Sequence, residues 1–212
     1  MAELTRFMKK FSFGEHIFLT LCLLFFLSFV AAPAFSETID INTVPVKDLV
    51  IEVFSKISTS PGEIVTLPNS GYFDALIANI RNAQHSIDMT MFLFKATATP
   101  NNRPEIVLQE LILARKRGVE VHVILDKSGY NKDVNEENEK VARKLRRNDI
   151  AVLLDSEKTT THSKIVVIDG RFSFVGSHNL THSALKYNNE LSLLIDSRPL
   201  AQELLNYMRK IQ

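Results

Sequence analysis

Residues 162–190, HSKIVVIDGRFSFVGSHNLTHSALKYNNE, decide how the rest of the chain is read. The apolar run Lys164 to Ile168 meets the turn pair Asp169-Gly170 and is answered by Phe172 to Val175, which spells a tight two-stranded hairpin. His162 and Lys164 stand two apart at the start of the first strand, so they share a face. An imidazole and an ammonium in one space suit an anionic ligand. The return strand ends in Gly176-Ser177, where glycine lets backbone approach a ligand closely and Ser177 adds a hydroxyl. Residues 180–185 read as a short helix, with Asn179 near its N-terminus, where anions bind well.

These residue types fit phosphoryl chemistry. A neutral imidazole at His162 can attack phosphorus. Lys164 and Asn179 can hold the non-bridging oxygens and offset charge that builds in the transition state. Glu190 opens the next strand and can accept a proton from the second nitrogen of His162, fixing its tautomer as the acidic member of a triad does. Each residue also has a structural reading. Asp169 is what a hairpin turn wants, Ser177 and Asn179 can cap a helix, and Glu190 can be a surface charge.

Working outward, Leu191 to Ile195 is an apolar strand, and Pro199 starts a helix with Leu200, Leu204, Leu205 and Met208 on one side. Upstream, Asn69 or Ser70 can cap a helix over 71–84, whose Phe73, Leu76, Ile77 and Ile80 share a face. Ile87 to Phe94 reads as a strand, Pro104 opens a helix closed by Gly118, and Val119 to Leu125 is a strand. A charged helix over about 135–147 and a short strand, Ile150 to Leu154, complete the pattern. Further back, Glu63 to Leu67 is extended and Val50 to Phe54 reads as a strand. Strands alternating with helices, plus one hairpin, specify an α/β sandwich with a mixed sheet.

The first 36 residues are an address label. Arg6, Lys9 and Lys10 precede an apolar run from Ile17 to Val30, followed by Ala32-Pro33-Ala34, as in a secretory signal peptide. The alternative is an uncleaved anchor, since Ile17 to Phe35 is just long enough to span a bilayer. The expected location is periplasmic or secreted, or else membrane-anchored outside the cytoplasm, with membrane contact only if the leader stays. Residues 37–48 form a polar linker, and 49–212 form the domain.

Composition narrows the function classes. The only cysteine, Cys22, lies in the leader, which excludes a disulfide framework and a cysteine-based zinc site. Residues 1–36 hold three basic and two acidic side chains, and the remainder balances 22 against 22. A neutral domain gives no global attraction for nucleic acid or anionic membrane, so any phosphate attraction is local. The clusters Arg115-Lys116-Arg117 and Lys140, Arg143, Lys144, Arg146, Arg147 are read first as solvated helix faces, and second as a track for a phosphate backbone.

His162, Lys164, Asp169, Gly176, Ser177 and Asn179 fit the pattern H-x-K-x(4)-D-x(6)-G-S-x-N without a gap, and there the sequence resembles the phospholipase D superfamily. Two further stretches are similar to the first helix-strand units of that family, ALIANIRNAQHSIDMTMFLF (75–94) and LARKRGVEVHVILD (113–126). The resemblance covers about 49–212 and is closest to the short, single-motif bacterial nuclease branch. It implies a phospholipase D-like α/β/α sandwich with one repeat per chain. It also implies metal-independent, cofactor-free phosphodiester hydrolysis through a phosphohistidine, with His162, Lys164, Asp169, Asn179 and Glu190 catalytic and Lys164, Ser177 and Asn179 binding phosphate. A second histidine is needed to protonate the leaving oxygen. His16, His85, His122, His178 and His182 begin no H-x-K, so the resemblance implies a homodimer with one shared site. The implied substrate is DNA or RNA, for an exported endonuclease. The alternative is a phospholipase D acting on membrane phospholipids, and the remote alternative an inactive binding module. Two positions depart from the pattern. Thr159-Thr160-Thr161 stands where an apolar residue commonly precedes the histidine, and His178, between Ser177 and Asn179, is expected to be solvated rather than to line the pocket.

Overall fold

The computed structural model describes residues 62–211. The leader or anchor, the linker and the strand read at Val50 to Phe54 lie outside the described residues. Twelve elements follow in chain order: β1 (Ile64–Pro68), α1 (Gly71–Asn82), β2 (Ser86–Met91), α2 (Arg103–Lys116), β3 (Glu120–Leu125), α3 (Lys132–Arg146), β4 (Ala151–Leu154), β5 (Lys164–Ile168), β6 (Phe172–Gly176), α4 (His182–Lys186), β7 (Leu191–Asp196) and α5 (Arg198–Met208).

Seven strands form one sheet in the order β1-β7-β6-β5-β2-β3-β4. β2, β3 and β4 run parallel, linked by the crossover helices α2 and α3, and the remaining pairings are antiparallel. The sheet is therefore mixed, as the alternating pattern and the hairpin require. All five residues of β5 are buried, which is why KIVVI reads as a continuous apolar run rather than an alternation. On one face, Leu76 and Ile80 of α1, Leu108 and Leu111 of α2 and Leu145 of α3 join Ile87, Met89, Val121, Val123 and Phe174 in the main core. On the other, Ala201 and Met208 of α5 close over Ile165 and Val167. The layers are helix, sheet, helix.

The strand directions decide where chemistry collects. The C-terminal ends of β1, β2, β3, β4 and β6 and the N-terminal ends of β5 and β7 all meet at one edge of the sheet. Ligands of open α/β sheets bind beyond the carboxyl ends of the parallel strands.

Several element boundaries differ from the pattern-based reading, each for a polar reason. α1 begins at Gly71, but neither Asn69 nor Ser70 caps it with its side chain. Ser70 makes no such bond, and Asn69 Oδ1 accepts from Glu190 N at 3.0 Å instead. β2 stops at Met91, because the buried Asn138 of α3 takes the Phe94 amide at 2.9 Å and donates to the Phe92 carbonyl at 2.8 Å. α3 starts at Lys132, capped by Asn131, rather than near 135. Among the described residues no helix is long and apolar enough to cross a membrane.

Candidate active site

β5 enters the sheet at the edge where these strand ends meet, and its first residue, Lys164, is buried. Its ammonium donates to the His162 carbonyl at 2.7 Å and lies 4.9 Å from the centre of the Phe92 ring. The exposed His162 ring rests on that same phenyl group at 4.5 Å. Phe92 follows Met91, which is paired with Lys164, so the β2–β5 register sets this platform. Both cation-forming groups therefore occupy one space, as their spacing requires. Burial lowers the Lys164 ammonium below the usual lysine range, while the charges of Glu190 and Asp126 hold it up.

Ser177 and Glu190 come from the neighbouring strand ends. Ser177 Oγ donates to Glu190 Oε2 and accepts from Leu191 N at 3.1 Å. Asn188 Nδ2 donates to Glu190 Oε1 at 3.1 Å. The Glu190 backbone is pinned on both sides by Asn69, whose amide donates to its carbonyl at 2.8 Å. Glu190 thus sits in the site, yet no hydrogen bond joins it to His162 among the described residues; its carboxylate is engaged by Ser177 and Asn188. Asn179 is half-buried, and its Oδ1 is buried with no partner. α4 begins only at His182, with the Thr181 side chain accepting from Ala184 N at 3.1 Å, so Asn179 lies outside that helix rather than at its end.

Asp169 stands apart from this group, which corrects its catalytic reading. It lies five residues along β5 from Lys164, roughly 17 Å at ~3.3 Å per residue, at the opposite edge of the sheet. There Asp169 Oδ1 accepts from the amides of His85 at 2.7 Å and Ser86 at 3.1 Å, and Oδ2 accepts from Gln84 at 3.0 Å. Asp169 and Gly170 both adopt positive φ, 53° and 57°, as a tight hairpin turn demands. This carboxylate ties the α1–β2 connection to the hairpin, at the sheet edge opposite His162 and Lys164.

Three further readings change. Gly176 is needed for strand packing, not ligand approach, because a Cβ there would collide with Ser192 of β7. His178 is fully buried rather than solvated. It stacks on Tyr72 at 4.3 Å, pairs through Nδ1 with Ser192 Oγ at 2.7 Å, and donates from Nε2 to the Asn69 carbonyl at 2.8 Å. Burial lowers its pKa, and the imidazole is a neutral core group. The basic clusters sit at the C-terminal ends of α2 and α3, at the sheet edge opposite the site. They are engaged locally: Arg115 with the Asp149 carbonyl, Arg117 with the Ile80 carbonyl, Lys140 with Glu136, Lys144 with Glu105, and Arg146 with the Val152 carbonyl. Their reading as solvated helix faces fits this placement, and a phosphate track does not.

Two buried carboxylates lie beneath the site, at positions the motif does not include. Asp126 directly follows β3 and Asp155 directly follows β4, both buried. Asp126 Oδ1 accepts from Thr161 N at 2.7 Å, and Thr161 Oγ1 donates to Asp155. The threonine where an apolar residue commonly sits is thus satisfied by a carboxylate. The signal was a charged residue closing each apolar run, VHVILD and AVLLD, where α/β sheets present their ligand groups. Four buried side-chain polar atoms lack a partner among the described residues. Three of them, Asp126 Oδ2, Asn135 Oδ1 and Asn179 Oδ1, lie at the same sheet edge as His162 and Lys164. Unpaired buried polar groups are costly, so their gathering marks this edge as shaped for something other than stability. Among the described residues no group of three or more His, Cys, Asp or Glu side chains gathers as a metal site.

The family model described as "Cardiolipin synthase, PLD-like domain" matches residues 76–212. A phospholipase D of Rickettsia prowazekii is 29% identical over 151 residues, covering 71% of this chain and 67% of that protein. A 5'-3' exonuclease of Xenopus laevis, PLD3, is 31% identical over 150 residues, covering 64% of this chain and 29% of that protein. The crystal structure of Nuc from Salmonella typhimurium, a phospholipase D family member, superposes with a TM-score of 0.57 at 23% identity, covering 70% of this chain and 94% of that one. The family match spans well over half the chain and includes both strands of the motif hairpin, so this protein belongs to the phospholipase D superfamily, a superfamily of phosphodiester hydrolases.

Proposed function

We propose that the chain hydrolyses phosphodiester bonds through a phosphohistidine at His162, with a nucleic acid strand as its substrate. The observation that carries the chemistry is the exposed His162 imidazole beside the buried Lys164 ammonium, on one aromatic platform. A ring nitrogen of His162 attacks phosphorus, and the bond from phosphorus to the leaving oxygen breaks. Lys164, Ser177 and Asn179 hold the non-bridging oxygens while charge builds on them. A second His162, from another copy of the chain, gives its proton to the leaving oxygen. That histidine then takes a proton from water as the water oxygen attacks phosphorus and the nitrogen–phosphorus bond breaks. The reaction needs no metal on this reading. One H-x-K per chain supports a symmetric homodimer with one shared site.

Two rim tyrosines support the nucleic acid reading. Tyr130, 78% exposed, follows β3, and its hydroxyl accepts from Thr160 Oγ1 at 3.4 Å; Tyr187, 67% exposed, lies three residues before Glu190. Aromatic faces beside a phosphate site give unpaired bases a surface to stack on. The exonuclease relative adds to this. The phospholipid reading is favoured by the rickettsial relatives, named phospholipase D, and by the lipid-synthase description of the matched family.

The test is to incubate the purified chain in EDTA with single-stranded and plasmid DNA and, separately, with phosphatidylcholine vesicles. Cleavage of DNA with intact lipid is the expected result. Lipid hydrolysis without DNA cleavage would reverse the substrate assignment, and dependence on added metal would overturn the mechanism. Sedimentation showing an active monomer would overturn the shared site.

A further inference from the structure

Beneath the His162–Lys164 pair lies a buried carboxylate that the reaction above does not use. Asp126 is fully buried at the end of β3. Its amide donates to the Met91 carbonyl at 3.2 Å, and its carbonyl accepts from Asn138 Nδ2 at 2.9 Å. The same Asn138 binds the backbone on both sides of Leu93, fixing the segment that carries Phe92. Asp126 Oδ1 accepts from the amide immediately before His162. Asp126 Oδ2 has no partner among the described residues.

A carboxylate is an expensive anchor for one backbone amide. Desolvation disfavours its charge, and so does a second carboxylate held on the same threonine, whereas an asparagine oxygen would accept that bond at lower cost. What a neutral amide cannot supply is a fixed negative charge beside two cation-forming side chains. The groups around it are consistent with that. Burial pushes the Asp126 carboxyl up, as does Asp155 from β4, while the Thr161 amide, His162 and Lys164 draw it down. From the other side, burial lowers the Lys164 ammonium, while Glu190 first and Asp126 after it hold it up.

We propose that Asp126 is the positioning residue of the His162–Lys164 pair: one carboxylate oxygen fixes the backbone before His162, and the carboxylate sets a buried negative charge beside the two cation-forming side chains. The catalytic part of this inference rests on the phosphodiesterase reading; the charge coupling does not. Asp126 touches no substrate. It acts through Lys164, which must be cationic to hold phosphate, and through Thr161, which sets where the imidazole stands.

The experiment compares the full chain with its Asp126→Asn variant in two readouts. The first is the Lys164 titration followed by NMR of labelled lysine, assigned by loss of the signal in Lys164→Arg. The second is the pH profile of kcat and KM on a chromogenic phosphodiester. Loss of the Asp126 charge is expected to move the Lys164 titration down by roughly one pH unit, and the alkaline limb of kcat with it. At the optimum, where asparagine keeps the bond to the Thr161 amide and Lys164 is still an ammonium, kcat falls only a few-fold and KM changes little. The reciprocal variant, Lys164→Gln, raises the Asp126 carboxyl titration further, which keeps the coupling testable if Asp126→Asn does not fold. An unmoved Lys164 titration in Asp126→Asn, or an unmoved Asp126 titration in Lys164→Gln, overturns the proposal and leaves Asp126 a backbone anchor. If both titrations move and the wild-type chain cleaves no phosphodiester, the coupling stands and the functional reading falls.

Discussion

At one end of β5, Lys164 is buried with its ammonium held by a backbone carbonyl and an aromatic face, beside a solvent-facing imidazole. At the other end, Asp169 has both carboxylate oxygens engaged by backbone amides at a turn whose conformation it suits. One short motif spans both ends. The difference between them is one of satisfaction. The Asp169 end is fully paired and lowers the energy of the fold. The Lys164 end keeps unpaired polar atoms, on Asp126 and Asn179, and depends on a core that tolerates them. Spacing in a sequence does not separate the two roles, because a five-residue strand holds the residue that opens it and the one that follows it at opposite edges of the sheet.

The largest effect is expected at His162. His162→Asn should abolish phosphodiester hydrolysis, by roughly 10⁴-fold or more, while leaving the melting temperature near that of the wild type, because the ring is exposed. Retained activity would remove the functional end from the comparison. Asp169→Ala should do the reverse. It deletes the acceptor for three backbone amides and places alanine at a positive φ, so unfolding free energy falls by about 2–3 kcal/mol. Asp169→Asn keeps an acceptor and tolerates the turn, and its folded fraction should turn over within a few-fold of the wild type. A large loss of kcat in a fully folded Asp169→Asn variant would return that residue to the catalytic set.

The smallest effect lies at His178. Burial depresses its folded pKa, so the stability it contributes is full above the unfolded value, near 6.5, and is lost as pH falls from there toward the folded value. Urea unfolding should show a decline in stability between pH 7 and pH 5 that His178→Gln largely removes. Asp126 works in the opposite sense. Its raised pKa means that its cost to stability grows as pH rises above the unfolded carboxyl value, near 3.9, and is fully present above its folded pKa. Asp126→Asn should therefore melt slightly higher than the wild type at neutral pH while being a poorer enzyme.

Much of this was legible in the sequence because the relevant signals are local. The β5–β6 hairpin follows from Asp169-Gly170 between two apolar runs, and the helices from their periodicity and caps. The convergence of His162, Lys164, Ser177, Asn179 and Glu190 follows from strands that start and stop near one another. The roles that escaped are set by contacts across the sheet. Asp169 needed the α1–β2 connection, more than 80 residues away, to reveal its partners. The burial of His178 depended on Tyr72 and on the Asn69 carbonyl. Gly176 is constrained by a strand that returns only at Ser192. Asp126 follows an apolar strand with no local sign of its role, and only the folded chain places it under Thr161.

The most direct test of the account is the covalent intermediate. The chain is mixed with a phosphodiester, quenched within the first turnover under alkaline conditions that preserve phosphoramidate bonds, digested, and mapped by mass spectrometry. The account predicts a phosphoryl adduct on the peptide containing His162, transient in the wild type and absent from His162→Asn. Steady turnover with no adduct at His162, or an adduct carried by any other residue, would contradict it.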